Sequence, residues 1–227
     1  MHVSRDGRDA CMSYHNHGTA LTSETLAQLD RIGIEDETLA RFYPRFPDDP
    51  ADFFHQWLTE GVHAGDGDGS PLMSFFHLER SWWEERHRPN VLLVHYNDLK
   101  ADLLQEMRRI ADFLDIAVAP DLWQHLKAAA EFEAMRRDGT ELMGRVAGMF
   151  TGGAARFFHR GANGRWRGIF RDEDLALYQG KVLSAFTPEL ASWVEHGRRG
   201  GPEQMQSLLR AAHGDGADRG AGAGWGL

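Results

Sequence analysis

Residues 91–116 read VLLVHYNDLKADLLQEMRRIADFLDI, and two different hydrophobic patterns meet inside this stretch. Its first part, VLLVHY, is a nearly continuous apolar run of strand length, which is typical of a strand buried on both faces in a parallel sheet. The rest places an apolar set at helical spacing along one face: Leu99, Leu103, Leu104, Met107, Ile110, Ala111 and Leu114. A strand that leads into an amphipathic helix predicts an α/β domain, with a parallel sheet flanked by helices.

Further helical patterns lie on both sides of this stretch. Residues 2–4 look extended, and a turn then leads into a helix predicted from about Arg8 to Gly18. Apolar spacing predicts more helices over the following approximate ranges: 22–33, with Thr22 or Ser23 as its cap, 53–60, 74–87, 121–137, 172–185 and 188–197. The pair Trp82 and Trp83 falls in one of them, and its helical spacing with neighbouring phenylalanines favours core packing over ligand binding.

The composition is that of one sizeable globular domain. The chain has 227 residues, of which 42% are apolar and 26% charged, and this balance disfavours disorder as the general state. We expect a single domain over residues 1–197, a helical extension over 198–213 and a disordered Gly/Ala-rich tail over 214–227.

Charge and cysteine content exclude several classes of function. The formal net charge of −9 argues against general binding to nucleic acid or to an acidic membrane, because those surfaces attract basic proteins. The sequence has no apolar run of about 18 residues and no apolar leader, so we expect a soluble protein. The single Cys11 permits no internal disulfide and fits a reducing compartment. By elimination, we expect the protein in the cytoplasm.

The stretch FFHRGANGRWRGIF, residues 157–170, suits neither an amphipathic helix nor an alternating strand. Gly161 and Gly164 permit a backbone that presents several N–H groups to one anion. The arginines in and beside the stretch add forked donors that match phosphate geometry: Arg156, Arg160, Arg165 and Arg167. These features indicate a phosphate-binding loop; the alternative is an ordinary surface loop held in place by Trp166.

A second candidate for anion binding is VSRDGRDACMSYHNH, residues 3–17. A basic residue at the end of a strand, followed by a turn and a helix that carries a hydroxyl, allows Arg5 and Ser13 to converge on one anion near the helix start. Without further support, Arg5 is equally well a surface charge and Ser13 an ordinary helix serine.

Taken together, three ordered segments resemble the cytosolic-type sulfotransferases, which use 3′-phosphoadenosine-5′-phosphosulfate (PAPS). VSRDGRDACMSYHNH is similar to the strand and helix that bind the 3′-phosphate, and FFHRGANGRWRGIF is similar to the second 3′-phosphate segment. Between them, SFFHLERSWWEERHRPNVLLVHYNDLKADLLQEMRRIADFLDI, residues 74–116, resembles the helix–strand–helix unit of the family. The likeness runs from about Val3 to about Trp193, and it implies the P-loop-like sulfotransferase fold, incomplete at its N-terminal side.

The resemblance also implies an activity and a set of binding residues. The activity is transfer of a sulfuryl group from PAPS, as co-substrate, to a hydroxyl or amine of a small-molecule acceptor. Matched position by position, the residues that bind the 3′-phosphate are Arg5, Ser13, His159, Arg160 and Gly161, with Tyr96 near the adenine and Phe132 stacked on it. Next to Phe132 the chain has Ala130 and Glu131, where the family usually has small hydroxyl residues.

Other features of the family are not found in this sequence. The dimerisation motif that follows the tryptophan is not matched by RGIFRDEDL, so the oligomeric state stays open. No Lys-Ser-Gly-Thr-Thr-like loop for the 5′-phosphosulfate occurs in the 227 residues, and no catalytic base is assigned. We therefore expect the C-terminal portion of a sulfotransferase. The alternatives are a catalytically inactive module that only binds adenosine 3′,5′-bisphosphate (PAP) and a chain that needs a second polypeptide to complete its sheet.

Histidines are the remaining candidates for catalysis. His15 and His17 follow Ser13 on the predicted helix, and His77 lies where the family often has a histidine near the acceptor. In a chain with twelve histidines most are structural or merely exposed, so we assign catalysis to none of them. The His15–His17 pair has no third ligand at a recognised spacing, and we expect no metal site.

Overall fold

The computed structural model describes residues 1–37, 40–60 and 74–199. In these ranges it has two strands, β1 (His2–Ser4) and β2 (Leu93–His95). The helices of the N-terminal half are α1 (Gly7–Gly18), α2 (Ser23–Glu35), α3 (Pro50–Thr59), α4 (Phe75–Glu84), α5 (Tyr96–Ala101) and α6 (Leu103–Phe113). Those of the C-terminal half are α7 (Trp123–Ala129), α8 (Phe132–Arg137), α9 (Gly139–Met143), α10 (Gly153–Phe157), α11 (Asp172–Ala185) and α12 (Pro188–His196), with a 3-10 helix at Gly144–Met149.

The two strands form a parallel pair, which confirms the α/β class. In this pair Val3 lies opposite Val94 and Ser4 lies opposite His95. The strand β2 is shorter than the predicted 91–96, because Tyr96 already belongs to α5, and His95 caps that helix by accepting a hydrogen bond from the backbone N–H of Asn97. The carboxyl ends of both strands therefore lie side by side; α5 follows β2 directly, and α1 follows β1 after Arg5 and Asp6.

The helix predicted along Leu99–Leu114 is interrupted. Asp102 leaves the helical conformation, with φ −155° and ψ 83°, and caps α6 by accepting a hydrogen bond from the backbone N–H of Gln105, so α5 and α6 are separate helices. The predicted apolar face was wrong at Leu114, which follows the last residue of α6 and is 50% exposed. The fully buried side chain on α6 is instead Glu106, which forms ion pairs with Arg109 and Arg198. The helix predicted over 121–137 is likewise broken, since Ala130 and Glu131 separate α7 from α8.

Most of the buried apolar side chains form one cluster, which we call the aromatic core. It joins α1, α3, α4, α11 and α12 and the turn before α11, and its ring-bearing members are Phe53, Phe54, Trp57, Phe76, Trp166, Phe170, Tyr178 and Phe186. At its centre the Phe54 and Phe170 rings stack with their centroids 3.8 Å apart. Trp83 packs against this core, as predicted, whereas Trp82 stacks on His2 of β1.

Capping residues explain where two of the core helices begin. Asp49 accepts a hydrogen bond from the backbone N–H of Ala51 at 2.7 Å, and Pro50 occupies the first position of α3. Thr187 and Pro188 do the same for α12. These local signals fix the helix starts and thereby the apolar faces that build the core.

The predicted division of the C-terminus falls largely outside the described residues. Only Arg198 and Arg199 of the expected extension are described, and the expected tail over 214–227 is not. Within residues 1–37, 40–60 and 74–199, every helix is too short or too polar to cross a membrane.

Candidate nucleotide-binding site

A cavity of about 220 Å³ opens where the two strands end, and we call it the Arg5 cavity. All seven residues predicted to bind the nucleotide line it: Arg5, Ser13, Tyr96, Phe132, His159, Arg160 and Gly161. They come from segments more than 150 residues apart in the sequence, because Arg5 follows β1 and Arg160 follows α10. The fold therefore brings the predicted residues to one place, while their role as ligands remains a prediction.

The β1–α1 connection supplies the first wall. Asp6 caps α1 by accepting a hydrogen bond from the backbone N–H of Arg8 at 2.8 Å, which fixes Arg5 between the strand and the helix. Ser13 lies in the second turn of α1. Asn16 and His17 follow three and four residues later and line the cavity too, since these spacings share one face of a helix.

The guanidinium group of Arg5 is held in place by three contacts. It lies over the ring of Tyr96, 4.3 Å from the ring centroid. Its Nε and Nη2 atoms donate to the carboxamide oxygen of Asn163 at 3.2 and 2.8 Å, and Nη2 also donates to the carbonyl oxygen of Ala162 at 3.1 Å. Arg5 is thus an oriented cation and not a free surface charge.

The opposite wall is the 159–165 loop, His159–Arg165. Gly161 and Gly164 have φ angles of 58° and 73°, in the left-handed region that favours glycine. The ammonium group of Lys100 donates to the carbonyl oxygen of Gly161 at 3.0 Å. A side chain at Gly161 would also collide with the ring of Phe132, since an added Cβ would lie 2.5 Å from it. The backbone of the loop therefore requires glycine at Gly161.

Asp9 fastens the far end of the 159–165 loop to α1. Its carboxylate oxygens both accept the backbone N–H of Gly164, at 2.9 Å each. The Asp9 side chain is buried, and burial raises the pKa of its carboxyl group, although the Gly164 N–H and the charge of Arg5 act in the opposite direction. A buried carboxylate beside the arginines of the cavity thus stabilises the loop without closing the cavity.

Trp166 anchors the same loop to the aromatic core. Its ring is 7% exposed and lies between two guanidinium groups, those of Arg8 and Arg167, each 4.4 Å from its centroid. Arg8 is in turn paired with Asp6 and Glu195. Trp166 is thus a buried member of the aromatic core directly after the loop.

The Arg5 cavity is strongly cationic. Arg5, Arg160 and Arg165 line it, and among the described residues none of the three takes part in an ion pair. Burial and then the charges of Arg165 and Arg160 hold the pKa of His159 below its ordinary value. Burial also lowers the pKa of His17. The cavity therefore concentrates positive charge that an anion would neutralise.

A second cavity of about 440 Å³, the side cavity, shares Tyr96, Phe132 and Met135 with the Arg5 cavity. Its wall is mainly apolar, and its rim carries an ion pair in which the Lys127 ammonium lies 2.8 Å from the Glu131 carboxylate. This volume falls within the usual range for small-molecule sites. The two cavities together offer a cationic pocket next to a flat aromatic wall.

The three histidines considered for catalysis have different surroundings. His15 turns away from the cavity, with its Nε2 atom 2.8 Å from the carbonyl oxygen of Pro47. His77 is exposed and lies beside Arg80. His17 lines the cavity, but its ring stacks on Phe157 at 4.6 Å and its Nε2 atom faces the carbonyl oxygen of that residue. His15 and His17 thus have the contacts of structural side chains, whereas His77 lies on the surface.

The sequence interpretation missed several residues of the site. Asn16 and Met135 each lie three residues from a predicted ligand on the same helix, so helical spacing from Ser13 and Phe132 would have found them. Asp9 lies four residues before Ser13 on α1 and was within reach of the same spacing, although its bond to Gly164 was not foreseen. Asn163 had no such signal, since its bonds to Arg5 join polar groups far apart in the chain.

Comparison with known proteins identifies the family. The model of the sulfotransferase domain matches residues 1–182. The chain is 29% identical over 215 residues to a glycolipid sulfotransferase of Mycobacterium bovis, covering 87% of this chain and 64% of the relative. It is 28% identical over 142 residues to the luciferin sulfotransferase of Photinus pyralis, covering 61% and 29% of the two chains. The chain thus spans less than two thirds of the length of these relatives.

Solved structures show the same fold. Retinol dehydratase in complex with androsterone and the inactive cofactor PAP has a TM-score of 0.57 at 23% identity, over 81% of this chain and 46% of that one. Mouse sulfotransferase complexed with PAP has a TM-score of 0.55 at 15% identity, over 91% and 60% of the two chains. From the family match over most of its length and from this shared fold, the chain belongs to the sulfotransferase family.

Proposed function

We propose that the chain binds the adenosine 3′,5′-bisphosphate part of PAPS and serves sulfuryl transfer to a hydroxyl or amine of a small molecule. The observation that carries this proposal is the Arg5 cavity, where all seven residues matched to the family's nucleotide ligands line one space. The relatives support it, since they are sulfotransferases and the solved neighbours hold PAP.

The cationic wall fits a phosphate group. Arg5 and Arg160 approach the cavity from opposite walls, and neither has an ion-pair partner among the residues described. The hydroxyl of Ser13 adds a neutral donor. Since a hydrogen bond to a charged group contributes about 1.5–3 kcal/mol, two or three of them would hold a 3′-phosphate firmly.

The aromatic wall fits a purine. Phe132 and Tyr96 stand between the two cavities, so a base next to the phosphate would reach the Phe132 ring. Ala130 and Glu131 line the same side cavity and supply no hydroxyl donor at the usual family positions, and Glu131 is paired with Lys127. We therefore assign base recognition here chiefly to stacking.

PAPS supplies the sulfuryl group, and the residues described here act on the part of it that does not react. They bind the 3′-phosphate, orient the nucleoside and set its depth in the cavity. No residue of the Arg5 cavity is assigned as a base for the acceptor hydroxyl. A binding module without transfer activity is the alternative, favoured by the engaged Nε2 atom of His17.

Thermal denaturation with PAP tests the binding proposal, because a ligand that binds only the native state raises the melting temperature. We expect an increase for the chain and a much smaller one for Arg5→Ala/Arg160→Ala. An equal increase in both proteins would contradict the proposed site. A sulfate-transfer assay with PAPS then separates the enzyme from the binding module.

For the acceptor and the cellular compartment we propose only a general class. The relatives are named for a glycolipid and for luciferin, and retinol dehydratase was solved with androsterone, so we propose a largely apolar small molecule that carries a hydroxyl. The cytoplasm is the proposed compartment, since the one cysteine, Cys11, is free and buried.

A further inference from the structure

Asn163 occupies the centre of the contacts that join the two walls of the Arg5 cavity. Its carboxamide oxygen accepts two hydrogen bonds from Arg5, through Nε and Nη2. Its carboxamide nitrogen donates to the side-chain oxygen of Asn97 at 2.6 Å. Asn97 in turn donates to the backbone carbonyl oxygen of Glu195 at 3.1 Å. A single side chain in the 159–165 loop therefore links the end of β1, the start of α5 and the end of α12.

The arrangement divides the donors of Arg5 into two sets. A guanidinium group has five N–H bonds in a rigid plane. The Nε and Nη2 bonds are used by Asn163 and by the carbonyl oxygen of Ala162. Among the residues described, Nη1 makes no hydrogen bond, and stacking on Tyr96 fixes the plane in which its two N–H bonds lie. The unused end of the guanidinium is the one left to meet an anion in the cavity.

The chemical type of Asn163 suits this task. A carboxamide accepts from Arg5 without neutralising its charge, whereas a carboxylate at the same place would form an ion pair and compete with a bound anion. The amide end also requires an acceptor, which Asn97 supplies. The pair of asparagines thus fixes the Arg5 cation without itself neutralising it.

We propose that Asn163 is a positioning residue, which orients Arg5 for the phosphate group of the nucleotide and itself makes no contact with the reacting atoms. This inference rests on the proposed function, since it assigns to Arg5 the binding of the 3′-phosphate. Asn163 then affects the affinity for the nucleotide only through its hydrogen bonds to Arg5. Its hydrogen bond with Asn97 makes that orientation depend on α5.

The experiment is a double-mutant cycle on the full chain with PAP as the titrant and calorimetry as the measurement. The four proteins are the unmodified chain, Asn163→Ala, Arg5→Lys and the double variant. Lysine keeps a positive charge, and so a measurable affinity, but lacks the Nε–Nη2 pair that Asn163 holds. We expect Asn163→Ala to weaken PAP binding about tenfold when Arg5 is present and less than about twofold when it is combined with Arg5→Lys.

Two controls separate positioning from a general structural role. Asn90→Ala replaces an exposed asparagine in the turn before β2 and should bind PAP as the unmodified chain does. Adenosine 5′-phosphate, which has no 3′-phosphate, should bind Asn163→Ala and the unmodified chain with equal affinity.

The outcomes are distinguishable. The positioning role would be overturned if Asn163→Ala lost the same PAP affinity with and without Arg5→Lys. It would also be overturned if Asn163→Ala bound PAP as tightly as the unmodified chain or more tightly. Both results would leave the proposed function intact. A chain that binds no PAP at all would overturn the proposed function and the positioning role with it.

Discussion

The aromatic core and the 159–165 loop are built from different interactions, although Trp166 connects them. In the core, rings such as Phe54 and Phe170 contact each other and are almost fully buried. In the loop, polar side chains from distant segments hold the backbone, as Lys100 does at Gly161 and Asp9 does at Gly164. We infer that stability resides mainly in the first region, and we propose that the second region binds the anion.

The separation has a physical basis. Apolar burial stabilises a fold in proportion to the area removed from water and needs no charge. A cavity for an anion instead needs cations that lack carboxylate partners. Such cations repel one another until a ligand binds. Placing both in one region would leave charges buried at high cost. The Trp166 ring, with Arg8 and Arg167 against it, is one place where the two regions meet.

The largest predicted effect is on the core. Phe54→Ala removes a ring that is 0% exposed and stacked on Phe170, and we expect a loss of about 3–5 kcal/mol in the free energy of unfolding. Urea denaturation measures it. The matched control is Phe42→Ala, at a ring that is 66% exposed, where we expect a change within about 0.5 kcal/mol. Similar losses in the two variants would remove the distinction between core and surface.

A pair of glycine variants sharpens the comparison at the loop. Gly161 and Gly168 have φ angles of 58° and 72°, so alanine at either position should cost about 1–2 kcal/mol of stability. Around Gly168 an added Cβ meets no atom within 4 Å, whereas at Gly161 it meets the Phe132 ring.

We therefore expect only Gly161→Ala to weaken PAP binding, by about tenfold, because it displaces the stacking ring. Calorimetric titration of both variants checks this. If Gly168→Ala weakened binding as much, backbone strain and not the Phe132 contact would be the cause.

The smallest predicted effect concerns pH. Burial and neighbouring arginines lower the pKa of His159 in the ligand-free protein, and a bound phosphate would raise it again. Binding then takes up a proton, so PAP affinity should rise about threefold as pH falls from 8 to 6.5. The range stops there because the phosphate itself takes up a proton near about pH 6.

His159→Gln should reduce this slope, and the difference between the two titration series isolates His159 from His17. The lowered pKa of His159 also predicts how the stability of the ligand-free protein depends on pH. Because the pKa is lowered in the folded state, the unfolded chain binds the proton more strongly, and the ligand-free protein loses stability as pH falls below the ordinary histidine value of 6.5. If PAP affinity changed with pH to the same extent in His159→Gln and in the unmodified chain, His159 would be excluded as the group responsible.

Much of the fold could be predicted because its signals are local. The apolar run at 91–96 and the periodicity after it gave β2 and α6, since burial of one face follows directly from spacing. The break at Asp102 was not foreseen, because it depends on one side chain capping Gln105 within an otherwise helical pattern. Leu114 was misplaced for the same reason, since a helix end decides whether the last apolar residue is buried.

The candidate site also has one part that the sequence predicts and another that it does not. Arg5, Ser13 and Arg160 were found through three ordered segments that resemble a family, and helical spacing reaches their neighbours. Asp9 is one of those neighbours, four residues before Ser13. Its bond to Gly164 and the bond of Asn163 to Arg5 were not foreseen, because a hydrogen bond between polar groups 155 or 158 residues apart leaves no periodic trace in the sequence. Such contacts become visible only once the chain is folded.

The central claim is that the Arg5 cavity binds the 3′-phosphate of an adenine nucleotide. The most direct measurement is calorimetric titration of the full chain with PAP and, separately, with adenosine 5′-phosphate. We expect PAP to bind at least about tenfold more tightly, because only it places a phosphate between Arg5 and Arg160, and we expect Arg5→Ala/Arg160→Ala to abolish that difference. Equal affinities of the unmodified chain for the two nucleotides, or a preference for PAP that survives in the double variant, would contradict the claim.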